Sequence, residues 1–241
     1  MLRVLADSLI SVVLAPSCAA CEALLDEPSR GPVCSSCWER IVPFTPPLCR
    51  HCGDPLPSWR VISLEAGFCP RCRRISSAIS CARAIGAYDG PLRAIVHALK
   101  YDNRRSLAAP LAGRMRHSCA DVLEGADALV PVPLHRARER ARGFNQAGEI
   151  ARHLGAPVRL ALKRVRATPS QTALPAARRH ANVRHAFRLR RRAGVRGLCV
   201  VLVDDVSTTG ATLEACARVL REAGAAEVRA VTAARVLSGR R

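Results

Sequence analysis

Val200-Val201-Leu202-Val203-Asp204-Asp205-Val206-Ser207-Thr208-Thr209-Gly210-Ala211-Thr212-Leu213 joins four consecutive aliphatic residues to a helical pattern through a turn rich in acids and hydroxyls. An uninterrupted aliphatic run suits a strand covered on both faces, as in a parallel sheet. Beyond the turn, Leu213, Cys216, Val219 and Leu220 share one side of a helical projection, and Gly224 is placed to end the helix. The turn therefore falls at the carboxyl end of a parallel strand, where open α/β sheets bind ligands. Backbone N–H groups of Thr208 to Thr212 at a helix N-terminus, with threonine hydroxyls beside them, suit a phosphate dianion. Asp204 and Asp205 cannot bind that phosphate. They suit the hydroxyls of a ribose, or a divalent cation held by the ligand. An ordinary helix-capping turn needs one acid or hydroxyl residue, whereas this one has two acids and three threonines.

Charge points the same way. The 241 residues carry a formal net charge of +19, and Lys100 and Lys163 are the only lysines among 38 basic residues. From Pro131 to Gly197, seventeen basic residues face Glu139 and Glu149 alone, a net +15. Such density implies anionic partners: pyrophosphate, a nucleotide or a nucleic-acid backbone. A hydrophobic content of 49% is enough for a sizeable core and excludes a disordered chain. No run of 18 apolar residues is present, so no membrane span is expected. The stretch from Leu9 to Cys18 has a faint likeness to a short lipoprotein signal. Asp7, the shortness of the apolar run and a better use for Cys18 oppose it. Residues 2–14 are expected to form an amphipathic helix with Leu2, Leu5, Leu9, Val12 and Val13 inward, and the protein is expected in the cytoplasm.

That better use is a metal. Eight of twelve cysteines form four Cys-x-x-Cys pairs, Cys18/Cys21, Cys34/Cys37, Cys49/Cys52 and Cys69/Cys72. Each pair directs two thiolates to one centre, and two pairs complete a tetrahedral Zn²⁺ site. Two structural zinc ions are expected, since four thiolates leave no open position for a reacting water. Spacing alone leaves sequential and cross-braced pairing both open. Gly53 suits a tight knuckle after Cys52, and His51, a redundant fifth donor, is expected on the surface. Cys81, Cys119, Cys199 and Cys216 read as small buried hydrophobes. With so little core, this part should fold only with metal bound. The organisation expected is a helix and double zinc ribbon over residues 1–76, followed by an α/β domain over 77–241.

Between these landmarks, a strand is expected from Ala82 to Tyr88, a helix carrying Leu92, Ile95, Val96 and Leu99, and a second from Leu107 to Cys119. A buried strand follows over Ala128–Pro133, and a last one over Ala226–Val236. The segment Pro131-Val132-Pro133-Leu134-His135-Arg136-Ala137-Arg138-Glu139-Arg140-Ala141-Arg142-Gly143-Phe144-Asn145-Gln146 puts arginines between a buried strand and a helix, where they suit bidentate phosphate binding. A solvated helix face would also explain the charges, but has no need of Gly-Phe-Asn-Gln. Residues 163–187, with Arg164, Arg166, Thr168, Gln171, Leu174, Arg179, Asn182 and Phe187, read as a long basic loop of the kind that closes over a ligand. Arg188 to Arg196 reads as a solvated connection.

The turn after Val203 resembles the phosphoribosyl pyrophosphate (PRPP) loop of type I phosphoribosyltransferases: aliphatic residues, two acids, two mostly aliphatic positions, then Thr-Thr/Ser-Gly-x-Thr. The chain departs from it at Ser207, where an aliphatic residue is commoner. With the double ribbon, Leu99-Lys100-Tyr101, Pro131-Val132-Pro133-Leu134, Arg138, Arg142-Gly143-Phe144-Asn145-Gln146, Thr168-x-x-Gln171-x-x-Leu174 and Arg179-x-x-Asn182-Val183 with Ala186-Phe187, nearly the whole chain resembles the ComF family of competence-associated phosphoribosyltransferase-like proteins. Arg178 stands where that family commonly has an acid. The resemblance implies a type I phosphoribosyltransferase-like parallel sheet flanked by helices. It implies Mg²⁺ arriving with PRPP, and PRPP contacts from Asp204, Asp205, Ser207, Thr208, Thr209, Gly210, Ala211, Thr212 and Lys100. Asp204, Asp205 and Arg138 are the candidates for chemistry. It further implies a cytoplasmic role with internalised single-stranded DNA in natural transformation, with the DNA or a competence helicase as partner. The transfer reaction is left open, and a free-standing phosphoribosyltransferase of nucleotide salvage or biosynthesis is the alternative. Only 3% of residues are aromatic, so DNA contacts would go to the backbone rather than to stacked bases.

Overall fold

The computed structural model describes Asp7 and residues 15–56, 67–166 and 185–237. Its elements are α1 (Ser35–Glu39), β1 (Ala82–Ala87), α2 (Gly90–Tyr101), α3 (Ala108–Ser118), α4 (Ala120–Leu123), β2 (Ala128–Pro131), α5 (Arg136–Arg142), α6 (Gln146–Ala151), β3 (Leu162–Arg164), β4 (Phe187–Leu189), β5 (Cys199–Ser207), α7 (Ala211–Glu222) and β6 (Glu227–Arg235). Four strands form a parallel sheet in the order β1-β6-β5-β2. The two longest strands, β5 and β6, are central, and both their faces are covered. Pro131, which has no N–H to give to a ladder, lies on an edge strand.

Alternation along the strands divides the core into two layers. Leu129, Val201, Val203, Val231 and Ala233 pack with α2, α3 and α6 through Ile95, Val96, Leu99, Leu111, Met115 and Ile150. Val130, Leu202, Val228 and Ala230 pack on the other face with Leu213, Cys216 and Leu220 of α7 and with Leu162 and Phe187. The strands and helices expected between Ala82 and Val236 are present with small shifts at their ends. The strand expected over Ala128–Pro133 ends at Pro131, although the Val132 N–H still reaches the Val203 carbonyl at 2.9 Å.

One segment differs from expectation. The basic stretch from Lys163 is a strand at each end: Leu162–Arg164 and Phe187–Leu189 pair antiparallel in their own two-stranded sheet. Strands of three residues are too short to show a period in sequence, and burial of Leu162 and Phe187 against α7 holds them together. The linker between the ribbons contacts the sheet directly. Pro43 pairs with Gly86 at the open edge of β1, and the Phe44 N–H donates to the Ile85 carbonyl at 2.8 Å. A Cβ on Gly86 would lie 2.5 Å from the Val42 carbonyl oxygen, so only glycine permits this approach. The helix expected over residues 2–14 and the loop positions Thr168, Gln171, Leu174, Arg178, Arg179 and Asn182 lie outside the described residues, apart from buried Asp7, whose carboxylate accepts from the N–H and hydroxyl of Ser29. Among the described residues, no helix is long and apolar enough to cross a membrane.

Candidate functional site

Strand β5 runs through both acids to Ser207 before the chain turns. Gly210 caps α7 with φ +76°, a left-handed conformation that glycine adopts without strain. The Thr209 hydroxyl accepts a long bond of 3.4 Å from the Ala211 N–H. Thr208, Gly210, Ala211 and Thr212 line a shallow recess together with Asp204. A twelve-residue helix aims its N-terminal partial charge at this recess, which is the geometry an anion needs. Ser207 sits differently: it is buried, and its hydroxyl accepts from Nη1 of Arg235 at 3.2 Å.

The adjacent acids are not equivalent. Strand alternation sends Asp205 to the α2 layer, where Lys100 Nζ meets its Oδ1 at 2.8 Å with both side chains mostly buried. Burial alone would lower the Lys100 pKa, but the Asp205 charge more than reverses this and raises it. Asp205 Oδ2 is buried and has no hydrogen-bond partner among the described residues. Asp204 faces the α7 layer, and its Oδ1 accepts from the Asp205 N–H at 2.9 Å. The residue keeps an exposed edge, but protein surrounds its carboxyl; burial first, and then the Asp205 charge, push its pKa up to about 7.

Arg164 of β3 and Arg138 of α5 converge on the same region. Arg164 offsets part of the upward shift at Asp204, and its own pKa is lowered by burial and then by Arg138. Its guanidinium lies over the Phe187 ring at 5.3 Å from the centroid. Arg164 also lines a cavity of about 960 Å³ whose other cations are Arg105, Arg136, Arg152, Lys163, Arg190 and Arg191. His135, which also lines it, caps α5 by accepting from the Ala137 N–H at 3.3 Å. The Asn145 side chain caps α6 and donates to the Val132 carbonyl at 3.0 Å, so Gly-Phe-Asn-Gln shapes the groove wall.

The cysteines assemble as Cys18, Cys21, Cys34 and Cys37, and as Cys49, Cys52, Cys69 and Cys72, with the ligand atoms of each set within 4.8 Å of one another. Pairing is therefore sequential. A tetrahedron with Zn–S bonds of about 2.3 Å has S···S edges of about 3.8 Å. The Cys21–Cys34 and Cys52–Cys69 sulfurs are 3.8 and 3.7 Å apart, which fits zinc in both sets. Backbone N–H groups of Cys34 and Cys69 donate to Cys18 and Cys49 sulfurs at 3.3 Å, as knuckles that carry thiolates require. The Ser36 hydroxyl lowers the Cys34 pKa to about 6. His51 is half-buried rather than on the surface, with its carbonyl taken by the Ala82 N–H at 2.7 Å. Of the other cysteines, Cys119 and Cys216 are buried, while Cys81 and Cys199 are only partly so.

Sequence reasoning missed three residues. Arg71, between Cys69 and Cys72, donates from Nη2 to the Thr209 carbonyl in the middle of the turn. Arg235, at the end of β6, is buried and pairs with Asp54, two residues after Cys52. Glu214 in the first turn of α7 accepts from the Ser77 hydroxyl at 2.6 Å and the Ala78 N–H at 3.2 Å. The one signal available was an arginine placed directly after Ala233 and Ala234 in a strand, since a buried charge requires a partner.

The chain matches the family models of the double zinc ribbon domain over residues 9–73 and of the phosphoribosyl transferase domain over residues 140–241. Competence protein F of Haemophilus influenzae is 32% identical over 224 residues, which span 88% of this chain and 93% of that protein. DNA utilization protein YhgH of Salmonella typhimurium is 36% identical over 210 residues, 81% of this chain and 87% of that protein. Competence protein ComFC of Bacillus subtilis is 27% identical over 195 residues, 80% of each. With two closed four-cysteine centres and a glycine-capped acid-and-threonine turn at the end of a parallel strand, the chain belongs to the family of competence protein F, ComFC and YhgH.

Proposed function

We propose that this protein binds PRPP at the carboxyl end of β5 and acts with that ligand in handling single-stranded DNA in the cytoplasm during natural transformation. The observation that carries the reading is the Thr208–Thr212 turn at the N-terminus of α7, beside a carboxylate poised near neutrality and another whose Oδ2 lacks a partner among the described residues. The backbone N–H groups of the turn would take the 5′-phosphate, and Asp204 and Asp205 would accept from ribose hydroxyls. Lys100 pairs with Asp205 through Oδ1 at 2.8 Å and so holds that carboxyl group in place. Arg138 and Arg164 face the charge of a leaving pyrophosphate, where preorganised cations stabilise a transition state. The carboxylate oxygens of Asp204 fit a hard cation, and Mg²⁺ would supply charge neutralisation at the pyrophosphate. Residues 1–76 serve as the metal-held part and 77–241 as the ligand-binding part.

The names of the relatives, competence protein F and DNA utilization protein, support the DNA role. So does the basic cavity, which adjoins the ligand site through Arg164. A strand held there by its phosphates would bind with little sequence preference, and log affinity would fall with log salt at a slope of about −0.7 per phosphate neutralised. The test combines thermal stabilisation by Mg·PRPP with fluorescence anisotropy of single-stranded oligonucleotides across a salt series. Thr209→Arg should abolish the response to PRPP, and Arg136→Ser with Arg191→Ser should flatten the salt slope while PRPP binding persists. Wild-type protein that ignores PRPP refutes the ligand. Pyrophosphate release with a nucleobase, without salt-sensitive DNA binding, would instead establish a free-standing phosphoribosyltransferase.

A further inference from the structure

The second ribbon reaches the ligand turn from both of its metal-binding knuckles, directly from one and through Arg235 from the other. Arg71 belongs to the knuckle Cys69-Pro70-Arg71-Cys72 and donates to the Thr209 carbonyl. A Cβ on neighbouring Gly210 would lie 3.6 Å from Arg71 Nη2, so the guanidinium lies close against the turn. The other knuckle ends in Gly53 and Asp54, and Asp54 holds Arg235, whose Nη1 donates to the Ser207 hydroxyl where the turn begins. Gly53 has φ +74°, and a Cβ there would lie 2.6 Å from the Ala82 carbonyl oxygen, so this knuckle is seated directly on the start of β1. Just after the ribbon, Ser77 and Ala78 hold Glu214 on the far side of the turn. The turn is thus gripped at its start, at its middle and in the helix it leads into. The first ribbon docks elsewhere: the Ser17 carbonyl accepts from Arg104 at 3.2 Å, and Arg114 lies over the Trp38 ring.

We propose that the second ribbon is a clamp that positions the Ser207–Thr212 turn, with Arg71 and Arg235 as positioning residues, so that zinc on Cys49, Cys52, Cys69 and Cys72 and a ribose phosphate in the turn strengthen each other's binding. The proposal rests on the ribose-phosphate reading of the turn. Each knuckle keeps its shape only while its thiolates share a metal, so the grip on Thr209 and Ser207 depends on zinc. If zinc favours the turn geometry that binds phosphate, a bound phosphate must favour zinc retention by the same factor. A ribbon that merely stabilises the fold would show no such ligand dependence.

The experiment uses the full-length zinc-loaded chain. Binding of Mg·PRPP is measured by calorimetry for wild type, Arg71→Met, Arg71→Lys and Asp54→Asn. Zinc affinity is measured by chelator competition with and without saturating ribose 5-phosphate. In the wild type, one of the two zinc ions should become about tenfold harder to remove when ribose 5-phosphate is present, while the other does not respond. Arg71→Met should retain both ions yet bind PRPP about tenfold more weakly and lose the ligand effect on zinc, with partial rescue in Arg71→Lys. Should Arg71→Met fail to fold, Asp54→Asn, which loosens Arg235 without altering a ligand, should show the same loss of coupling. Wild-type protein that binds PRPP while both zinc ions ignore ribose 5-phosphate overturns the clamp alone, as does undiminished affinity in Arg71→Met. Wild-type protein that binds neither ligand refutes the proposed function itself.

Discussion

Replacing Asp204 by Asn should stabilise the protein while removing its ligand. In the folded chain the Asp204 carboxyl titrates at about 7, against 3.8 when exposed to water. The folded state therefore binds a proton that the unfolded state has released, and stability falls as pH rises from about 4 through about 7. The rise from 3.8 to about 7 sets a ceiling of about 4 kcal/mol, and the exposed edge of the residue reduces it to ~2–4 kcal/mol. Asparagine imitates the protonated acid in size and neutrality. At pH 8 the variant should melt ~5–10 °C above wild type, and at pH 4 the difference should vanish. The assay is thermal unfolding of zinc-loaded protein from pH 4 to 8, read as the variant minus wild type so that pH effects on the thiolates cancel. Because a ribose hydroxyl favours the ionised acid, wild-type affinity for Mg·PRPP should rise through pH 7, and the Asn variant should lose that rise along with most of its affinity. A variant with the same pH–stability curve as wild type would refute the argument, since Asp204 would then carry no buried-charge cost.

Two further outcomes follow from the charges and thiolates. Lys100→Met should destabilise the protein by about 3–5 kcal/mol at pH 8, because it leaves Asp205 buried without its cation, and chemical denaturation would show this loss shrinking at low pH. Elemental analysis of protein purified without added metal should find two zinc ions per chain. Cys21→Ser should lower this to one while PRPP still binds, because the first ribbon packs away from the turn.

Much of this protein is local and could be read in the sequence. Cys-x-x-Cys spacing fixes where each pair of sulfurs must go, so eight ligands could be named from the chain alone. Four aliphatic residues before Asp204 demand a strand buried on both faces, and Gly210 among threonines demands a tight turn at a helix start. These are statements about backbone conformation and burial, which neighbouring residues determine. The tertiary structure decided what depends on distant partners. It paired the knuckles sequentially, joined Leu162–Arg164 to Phe187–Leu189, and set Lys100 on Asp205 while leaving Asp204 to titrate near neutrality. It also brought Arg71 to Thr209 and Arg235 to Ser207 and Asp54, which set the second ribbon against the Ser207–Thr212 turn. An arginine pattern shows that a charge needs a partner; only packing of the sheet against the ribbon settles which partner comes within reach.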